Sequence, residues 1–337
     1  MNTVLTGITT TGAPHIGNYV GAIRPAVAAS RDPQRQSYFF LADYHSLVKG
    51  TEASAMATST LEIAASWLAA GLDPEAVVFY RQSDVPEIPE LAWILTCMTA
   101  KGLMNRAHAY KAAVAANEAA RDADPDKGIM MGLYCYPILM AADILLFNAD
   151  IVPVGKDQKQ HVEMARDIAA RFNHHYGETF VLPEAQIDDE TAVLPGLDGR
   201  KMSKSYRNTI PLFLPEKQLR KAIMKIKTNS QEPGEPKEPD QCTVFAIFRA
   251  FARTQEIAEM RQRYAAGIGW GEAKQLVFEY INDHLRDARG EYERLIADRG
   301  YVESVLVAGG EKARSYSVPF LRTIRRNVGI RSLEQIS

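Results

Sequence analysis

The sequence predicts an α/β protein: a parallel β-sheet with helices on both faces, continued by a helical region at the back of the chain. Three observations carry this. Short apolar runs alternate with helix-period segments through the front half of the 337 residues, the pattern of β–α units. Residues 244–330 are helix-patterned with few strand signals. The charge also changes sign along the chain. Residues 1–200 carry 15 Lys and Arg against 24 Asp and Glu, whereas residues 201–337 carry 24 against 17. The basic back is therefore the part suited to a polyanion.

The elements follow in order. Residues 3–8 read as a buried first strand. A turn with Gly12 and Pro14 opens a helix over 17–29. Residues 37–42 (SYFFLA) are a second, aromatic-rich strand. An amphipathic helix over 54–70 stops at Gly71, with Pro74 just beyond, as helix ends do. Residues 77–80 are a third strand and 89–99 a helix. Residues 150–154 are a short strand and 157–172 the helix after it. The stretch 111–131 is Ala-rich, then acidic, with Pro125 and Gly128, and reads as a helix followed by a mobile loop. Residues 194–200 (LPGLDGR) are loop. Residues 231–240 (QEPGEPKEPD) hold three prolines and a glycine among charges and read as an exposed loop.

Composition excludes several classes. With 46% apolar and 24% charged residues, the chain is neither disordered, collagenous nor a coiled coil. Cys97, Cys135 and Cys242 are too far apart for a disulfide scaffold or a Cys-rich metal site, and read as small buried residues. Trp67, Trp93 and Trp270 read as packing. His174 and His175 are adjacent and point apart on a helix, so no metal site is expected there. The first residues lack the pattern of a signal peptide. The most apolar stretch, 134–147, is about 14 residues and contains Asp143, against roughly 20 needed to span a bilayer. A cytoplasmic location without a membrane segment is the expectation.

Two motifs carry chemistry. Thr9-Thr10-Thr11-Gly12-Ala13-Pro14-His15-Ile16-Gly17-Asn18 follows the first strand and opens a helix. Ligands of open parallel sheets bind at the carboxyl ends of strands, and a helix start there offers free N–H groups to phosphate. Gly17 admits close approach, while His15 and Asn18 supply hydrogen-bond donors. An ordinary strand–turn–helix corner is the equal alternative. The second motif is Lys201-Met202-Ser203-Lys204-Ser205. Two lysines three apart in a small-residue loop suit closure over a polyphosphate and neutralisation of growing charge. By chance this pentapeptide is expected on the order of once in several thousand chains of this length.

The pair, in this order, resembles the two signatures of class I aminoacyl-tRNA synthetases: His-Ile-Gly-Asn for the first and Lys-Met-Ser-Lys-Ser for the second. Residues 136–145 (YPILMAADIL) and 150–158 (DIVPVGKDQ) closely resemble the tryptophanyl-tRNA synthetase family. Residues 17–24, 157–172 and 196–205 also fit, so the resemblance covers nearly the whole chain. It implies a Rossmann-like doubly wound catalytic domain over 1–206 and a helical anticodon-binding domain over 207–337. The last helix, about 311–330, would pack back on the catalytic domain. It also implies a homodimer, with ATP, L-tryptophan and tRNA(Trp) as partners and Mg²⁺ as the accompanying ion.

Site roles are implied residue by residue. His15, Gly17 and Asn18 would contact ATP phosphates, with Thr9, Thr10 and Thr11 in the turn beside them. Gly155, Lys156 and Asp157 would line the adenosine side, Asp157 accepting ribose hydroxyl bonds, and Val193 would border adenine. Lys201 and Lys204 would hold pyrophosphate, with Met202, Ser203 and Ser205 in their loop, and Lys111 would reach ATP from its own segment. Asp143 lies in an apolar helix, where an unpaired carboxylate is costly; the family's aspartate there accepts the indole N–H. Leu5, Gly7, Met140, Val152 and Val154 would form pocket walls, His45 a pocket histidine, and Tyr136 and Gln158 the holders of the ammonium group. Core packing would account for the walls equally well. Lys217, Arg220, Lys221, Lys225 and Lys227 form a basic run suited to RNA phosphates or to a solvated helix face.

The alternatives are a tyrosyl-tRNA synthetase, whose phenol an aspartate could also bind, and a synthetase-like RNA-binding paralogue that charges nothing. Residues 136–158 favour tryptophan over tyrosine. The intact lysine loop and His15 argue against a pure binder.

Overall fold

The computed structural model describes residues 1–10, 12–50, 52–121, 123–187 and 194–330. Strand β1 (Asn2–Thr9) leads to α1 (Ile16–Asn18), which continues through a π-helical turn (Tyr19–Ile23) into α2 (Arg24–Ala29). There follow β2 (Arg35–Ala42), α3 (Asp43–Leu47), α4 (Ala53–Ala69), β3 (Val78–Arg81), α5 (Glu87–Met98), α6 (Lys101–Met104), α7 (His108–Ala119) and α8 (Met131–Leu146). The sheet is completed by β4 (Ile151–Pro153), α9 (Lys159–Tyr176) and β5 (Glu184–Gln186). The helices α10 (Glu216–Met224), α11 (Thr243–Phe251), α12 (Thr254–Ala265), α13 (Trp270–Ala297) and α14 (Arg299–Asn327) form the back.

The strand order is β3-β2-β1-β4-β5, all pairs parallel. The chain winds outward from β1 to β3, then crosses to the other side of β1 to lay down β4. That reversal creates a crevice between β1 and β4 at the carboxyl edge. The aromatic run of β2 is buried on both faces, as strands of a covered parallel sheet are. Phe39 and Leu41 enter one core with Ile8, Ile63, Trp67 and the helices α10, α11 and α13. Tyr38 and Phe40 enter the other with Leu5, α5, α8 and α9. Gly71 ends α4 at φ 97°, the left-handed geometry its sequence position predicted.

Helix α14 lies along the edge strand β3 and covers it. Its backbone touches the strand backbone: a Cβ on Gly309 would fall 1.7 Å from the Phe79 carbonyl oxygen. Glu303 pairs with Arg81 at 2.7 Å, Lys312 with Glu75 at 3.3 Å and Arg314 with Glu87 at 3.0 Å. Arg325 pairs with Glu90.

Some expectations are corrected. Trp67 is core, but Trp93 is 68% exposed on α5. None of the three cysteines is buried; Cys97 is exposed and the others half-buried. Cys97 and Cys135 lie on helices α5 and α8, and Cys242 is the extended residue that caps α11. The Pro- and Glu-rich loop is mostly exposed, but Lys237 within it is only 3% exposed. Its ammonium donates to the Glu232 and Glu235 carbonyls at 2.9 and 3.0 Å and lies 5.3 Å from the Trp270 ring centre. Loop carbonyls and an aromatic face thus replace its water. The segment after α7 folds back on it, the Asn117 amide donating to the Pro125 and Lys127 carbonyls. Among the described residues no helix is long and apolar enough to cross a membrane.

Candidate active site

The strands deliver the candidate residues to the crevice. β1 runs through Thr9 and Thr10 toward α1, β2 into α3 with His45, β3 directly into Gln82, and β4 through Gly155 into a 3-10 turn (Lys156–Gln158).

His15 caps α1. Its Nδ1 accepts the Asn18 backbone N–H at 3.2 Å, and Asn18 Oδ1 accepts the His15 N–H at 3.1 Å. Nδ1 being an acceptor, the ring proton sits on Nε2. Burial, then the Lys204 charge, lowers the imidazole pKa to about 4. His15 is therefore an uncharged N–H donor at neutral pH. Gly17 is needed beside it, because a Cβ there would lie 3.0 Å from two ring atoms of His15. Thr9 is exposed at the strand end, whereas Thr10 is fully buried, its hydroxyl turned inward 2.6 Å from that of Ser46. Thr11 and Val193 lie outside the described residues.

The lysine loop meets this corner. The Lys204 ammonium donates to the Gly12 carbonyl at 2.8 Å, bridging 192 residues of chain, and burial lowers its pKa. Met202 is 4% exposed and buries its side chain in the core cluster that contains Ile16. Lys201 is exposed, and the Ser203 and Ser205 hydroxyls lie 2.7 Å apart. Asn208, which no motif singled out, binds both limbs of the loop. It accepts the Ser203 N–H at 2.8 Å and donates to the Lys201 carbonyl at 3.1 Å.

The other side of the crevice is one face of α8. Tyr136, Met140 and Asp143 stand at i, i+4 and i+7, which brings them onto one stripe. Asp143 is fully buried. The Gln82 amide donates to its Oδ1 and Oδ2 at 2.8 and 3.0 Å, and His45 Nε2 donates to Oδ2 at 2.8 Å. Burial raises the Asp143 pKa, and the His45 and Gln82 bonds oppose that rise. Oδ1 carries one donor and Oδ2 two, so Oδ1 has room for a further N–H. At the other end of the stripe the Tyr136 hydroxyl lies 2.7 Å from His161 Nε2, and His161 Nδ1 lies 2.9 Å from Gln158 Oε1. Leu5 and Val152 are buried, with Met140 and Val154 partly buried against the same core. Gly7 is exposed in β1 with the Phe40 ring behind it.

Gln82, His161 and Asn208 are the residues that sequence reasoning missed. Gln82 had a usable signal, as the first polar residue after the third strand. Lys111 is exposed on α7, and its ammonium has no hydrogen bond or ion pair among the described residues. Lys156 and Asp157 are exposed in the turn after β4.

The His15–Lys204 corner and the Tyr136–Asp143 stripe thus lie beyond the carboxyl ends of the parallel strands, where ligands of open sheets bind. The family described as tRNA synthetases class I (W and Y) matches residues 1–286. The chain belongs to this family. It is similar to the tryptophan–tRNA ligase of Pseudomonas aeruginosa, 58% identical over 98% of this chain and 75% of that one. The tryptophan–tRNA ligase of Neisseria meningitidis is also 58% identical, over 98% of each chain. Among solved structures, tryptophanyl-tRNA synthetase from Campylobacter jejuni, complexed with ADP and tryptophan, has a TM-score of 0.88 at 41% identity. That match covers 97% of this chain and 99% of the other. The synthetase's basic run lies on α10 and just beyond. Lys217, Arg220, Lys221, Lys225 and Lys227 are all exposed, while Leu219 and Ile223 bury the opposite face.

Proposed function

We propose that this chain is a tryptophan–tRNA ligase, activating L-tryptophan with ATP and passing it to tRNA(Trp). The observation that carries the reading is the α8 stripe. A buried, doubly held carboxylate stands at one end and a hydroxyl at the other, about 10 Å apart along the helix. Indole has a single polar atom, an N–H donor, and Asp143 Oδ1 offers an acceptor for it in an apolar surround. The Tyr136 end suits the ammonium. The names of the relatives support the same substrate.

In the first step the amino-acid carboxylate attacks the α-phosphorus of ATP. A phosphorus–oxygen bond forms to the carboxylate and the bond to pyrophosphate breaks. The nucleophile is already ionised, so the site needs no general base, only positioning and charge stabilisation. The His15 Nε2–H and the Asn18 amide serve phosphate oxygens, and Lys201 and Lys204 take up charge on the leaving pyrophosphate. Gly155, Lys156 and Asp157 border the adenosine. Among the described residues no His, Cys, Asp or Glu cluster would hold a metal ion, so Mg²⁺ would come with ATP and would offset phosphate charge. In the second step a hydroxyl of the terminal ribose of tRNA attacks the tryptophanyl carbonyl and AMP leaves. The exposed lysines on and beyond α10 meet RNA phosphates. Residues 1–206 with α14 form the catalytic unit, and the intervening helices the RNA-binding unit. A homodimer fits the exposed apolar surface at Trp93, and a cytoplasmic location fits a translation enzyme.

ATP–pyrophosphate exchange tests the reading. Exchange with tryptophan and not tyrosine is expected. Exchange with tyrosine would keep the enzyme class and overturn the Asp143 pocket, and no exchange with either would favour a non-charging RNA binder.

A further inference from the structure

The Tyr136–His161–Gln158–Asp157 chain contains one residue, His161, that touches no expected ligand and is 2% exposed. With the ring neutral, its bonds admit a single proton arrangement. The Asp157 carboxylate accepts only, so the Gln158 Nε2, 2.9 Å from Asp157 Oδ2, must face it. Gln158 Oε1 then faces His161 Nδ1 at 2.9 Å, and that nitrogen carries the ring proton. His161 Nε2 is left bare. The only hydrogen available for its 2.7 Å contact is that of the Tyr136 hydroxyl. The tyrosine therefore points its proton at the histidine and its oxygen lone pairs elsewhere. Burial, with His108 nearby, lowers the His161 pKa and favours the neutral ring this arrangement needs.

We propose that His161 is a positioning residue for the amino-acid ammonium group. By taking the Tyr136 proton and donating to Gln158, it fixes both side chains so that the tyrosine presents an acceptor to a ligand that can only donate. Without it the hydroxyl is free to turn its proton toward the cation. The inference rests on the reading of Tyr136 and Gln158 as the ammonium-holding pair.

The test measures tryptophan-dependent ATP–pyrophosphate exchange with the full chain. The probes are L-tryptophan and, as competitive inhibitor, indole-3-propionate, which is tryptophan without its ammonium. In His161→Leu the KM for tryptophan is expected to rise about tenfold or more, with kcat within about threefold and the inhibitor constant within about twofold. A rise shared equally by both probes would mean mere packing and would overturn the proposal, as would no change in either. Tyr136→Phe should move the same ratio, and the loss in the double variant should fall short of the sum of the two single losses, because part of the His161 effect acts through Tyr136 and the rest through Gln158. Fully additive losses would overturn the role of His161. A ratio untouched by Tyr136→Phe would instead overturn the ammonium reading beneath it. Should His161→Leu fail to fold, His161→Asn keeps a donor toward Gln158 while its shorter side chain withdraws the acceptor from Tyr136, and it is read by the same ratio.

Discussion

Asn208 accepts the backbone N–H of Ser203 at 2.8 Å and returns a hydrogen bond to the Lys201 carbonyl at 3.1 Å. One 3%-exposed amide, also bonded to Asp198 at 2.7 Å, thus sets the shape of the loop that carries both lysines. Asn208→Ala leaves four loop groups, on Asp198, Arg200, Lys201 and Ser203, without this partner. We expect about 2 kcal/mol less stability and a fall of about tenfold in exchange kcat, with the tryptophan KM unmoved. Urea unfolding and exchange kinetics measure both. A stability loss with kcat intact would confine Asn208 to a structural part.

Lys204→Ala removes the ammonium that bridges the loop to Gly12. Adenylate formation should slow by about a hundredfold or more, since the leaving group loses a charge partner. Tryptophan binding, followed by isothermal titration, should be spared. Equal loss of both would overturn the assignment.

His15 has a folded-state pKa of about 4 against an ordinary 6.5. The unfolded chain binds the proton first, so the neutral ring's contribution is present above pH 6.5 and is lost as pH falls toward 4. After solvent screening the loss is about 1–2 kcal/mol. In His15→Asn this segment of the stability–pH curve should flatten, as urea titrations between pH 7 and 4.5 would record. A direct NMR titration giving a midpoint near 6.5 would refute the shift.

Gln82→Leu strips Asp143 of the amide that reaches both its oxygens. With burial unopposed on that side, the carboxyl pKa rises further. The tryptophan KM should increase about tenfold and worsen as pH falls, because a protonated Asp143 is a poorer acceptor. The analogue with sulfur in place of the indole N–H should lose much less. Parallel losses for both compounds would sink the specificity role.

Gly309→Ala places a methyl group against the Phe79 carbonyl, 1.7 Å from its oxygen unless the helix moves. A destabilisation of about 3 kcal/mol or more is expected, with α14 more open to limited proteolysis. Unchanged unfolding would show that the contact between helix and edge strand is dispensable.

Much of this site could be read in advance because its residues are local in sequence. Thr9 to Asn18 is one turn, Lys201 to Ser205 one loop, and Tyr136, Met140 and Asp143 one helical stripe. Four of the five strands were equally plain, since an aromatic run such as residues 37–42 has few other places to go, whereas β5 is only three residues long and carries no apolar run. What stayed hidden is non-local. Gln82 lies 61 residues from the carboxylate it holds, and Asn208 is an ordinary asparagine until the loop wraps it. Trp93 looked like core because a tryptophan usually is, and nothing local signals that its helix turns it to solvent.

The sequence by itself determined the αβ alternation, the strand–turn–helix corner at His15, the lysine loop and the acid in an apolar helix. These depend on hydrophobic period and on chemistry within a few residues. Only the tertiary structure decided which donors satisfy that acid, which tautomers His15 and His161 adopt, and that Lys204 reaches back across 192 residues to Gly12. A hydrogen bond is fixed by distance and direction in space, and burial makes each unpaired group costly. Partners far apart in the chain are therefore chosen by the fold as a whole.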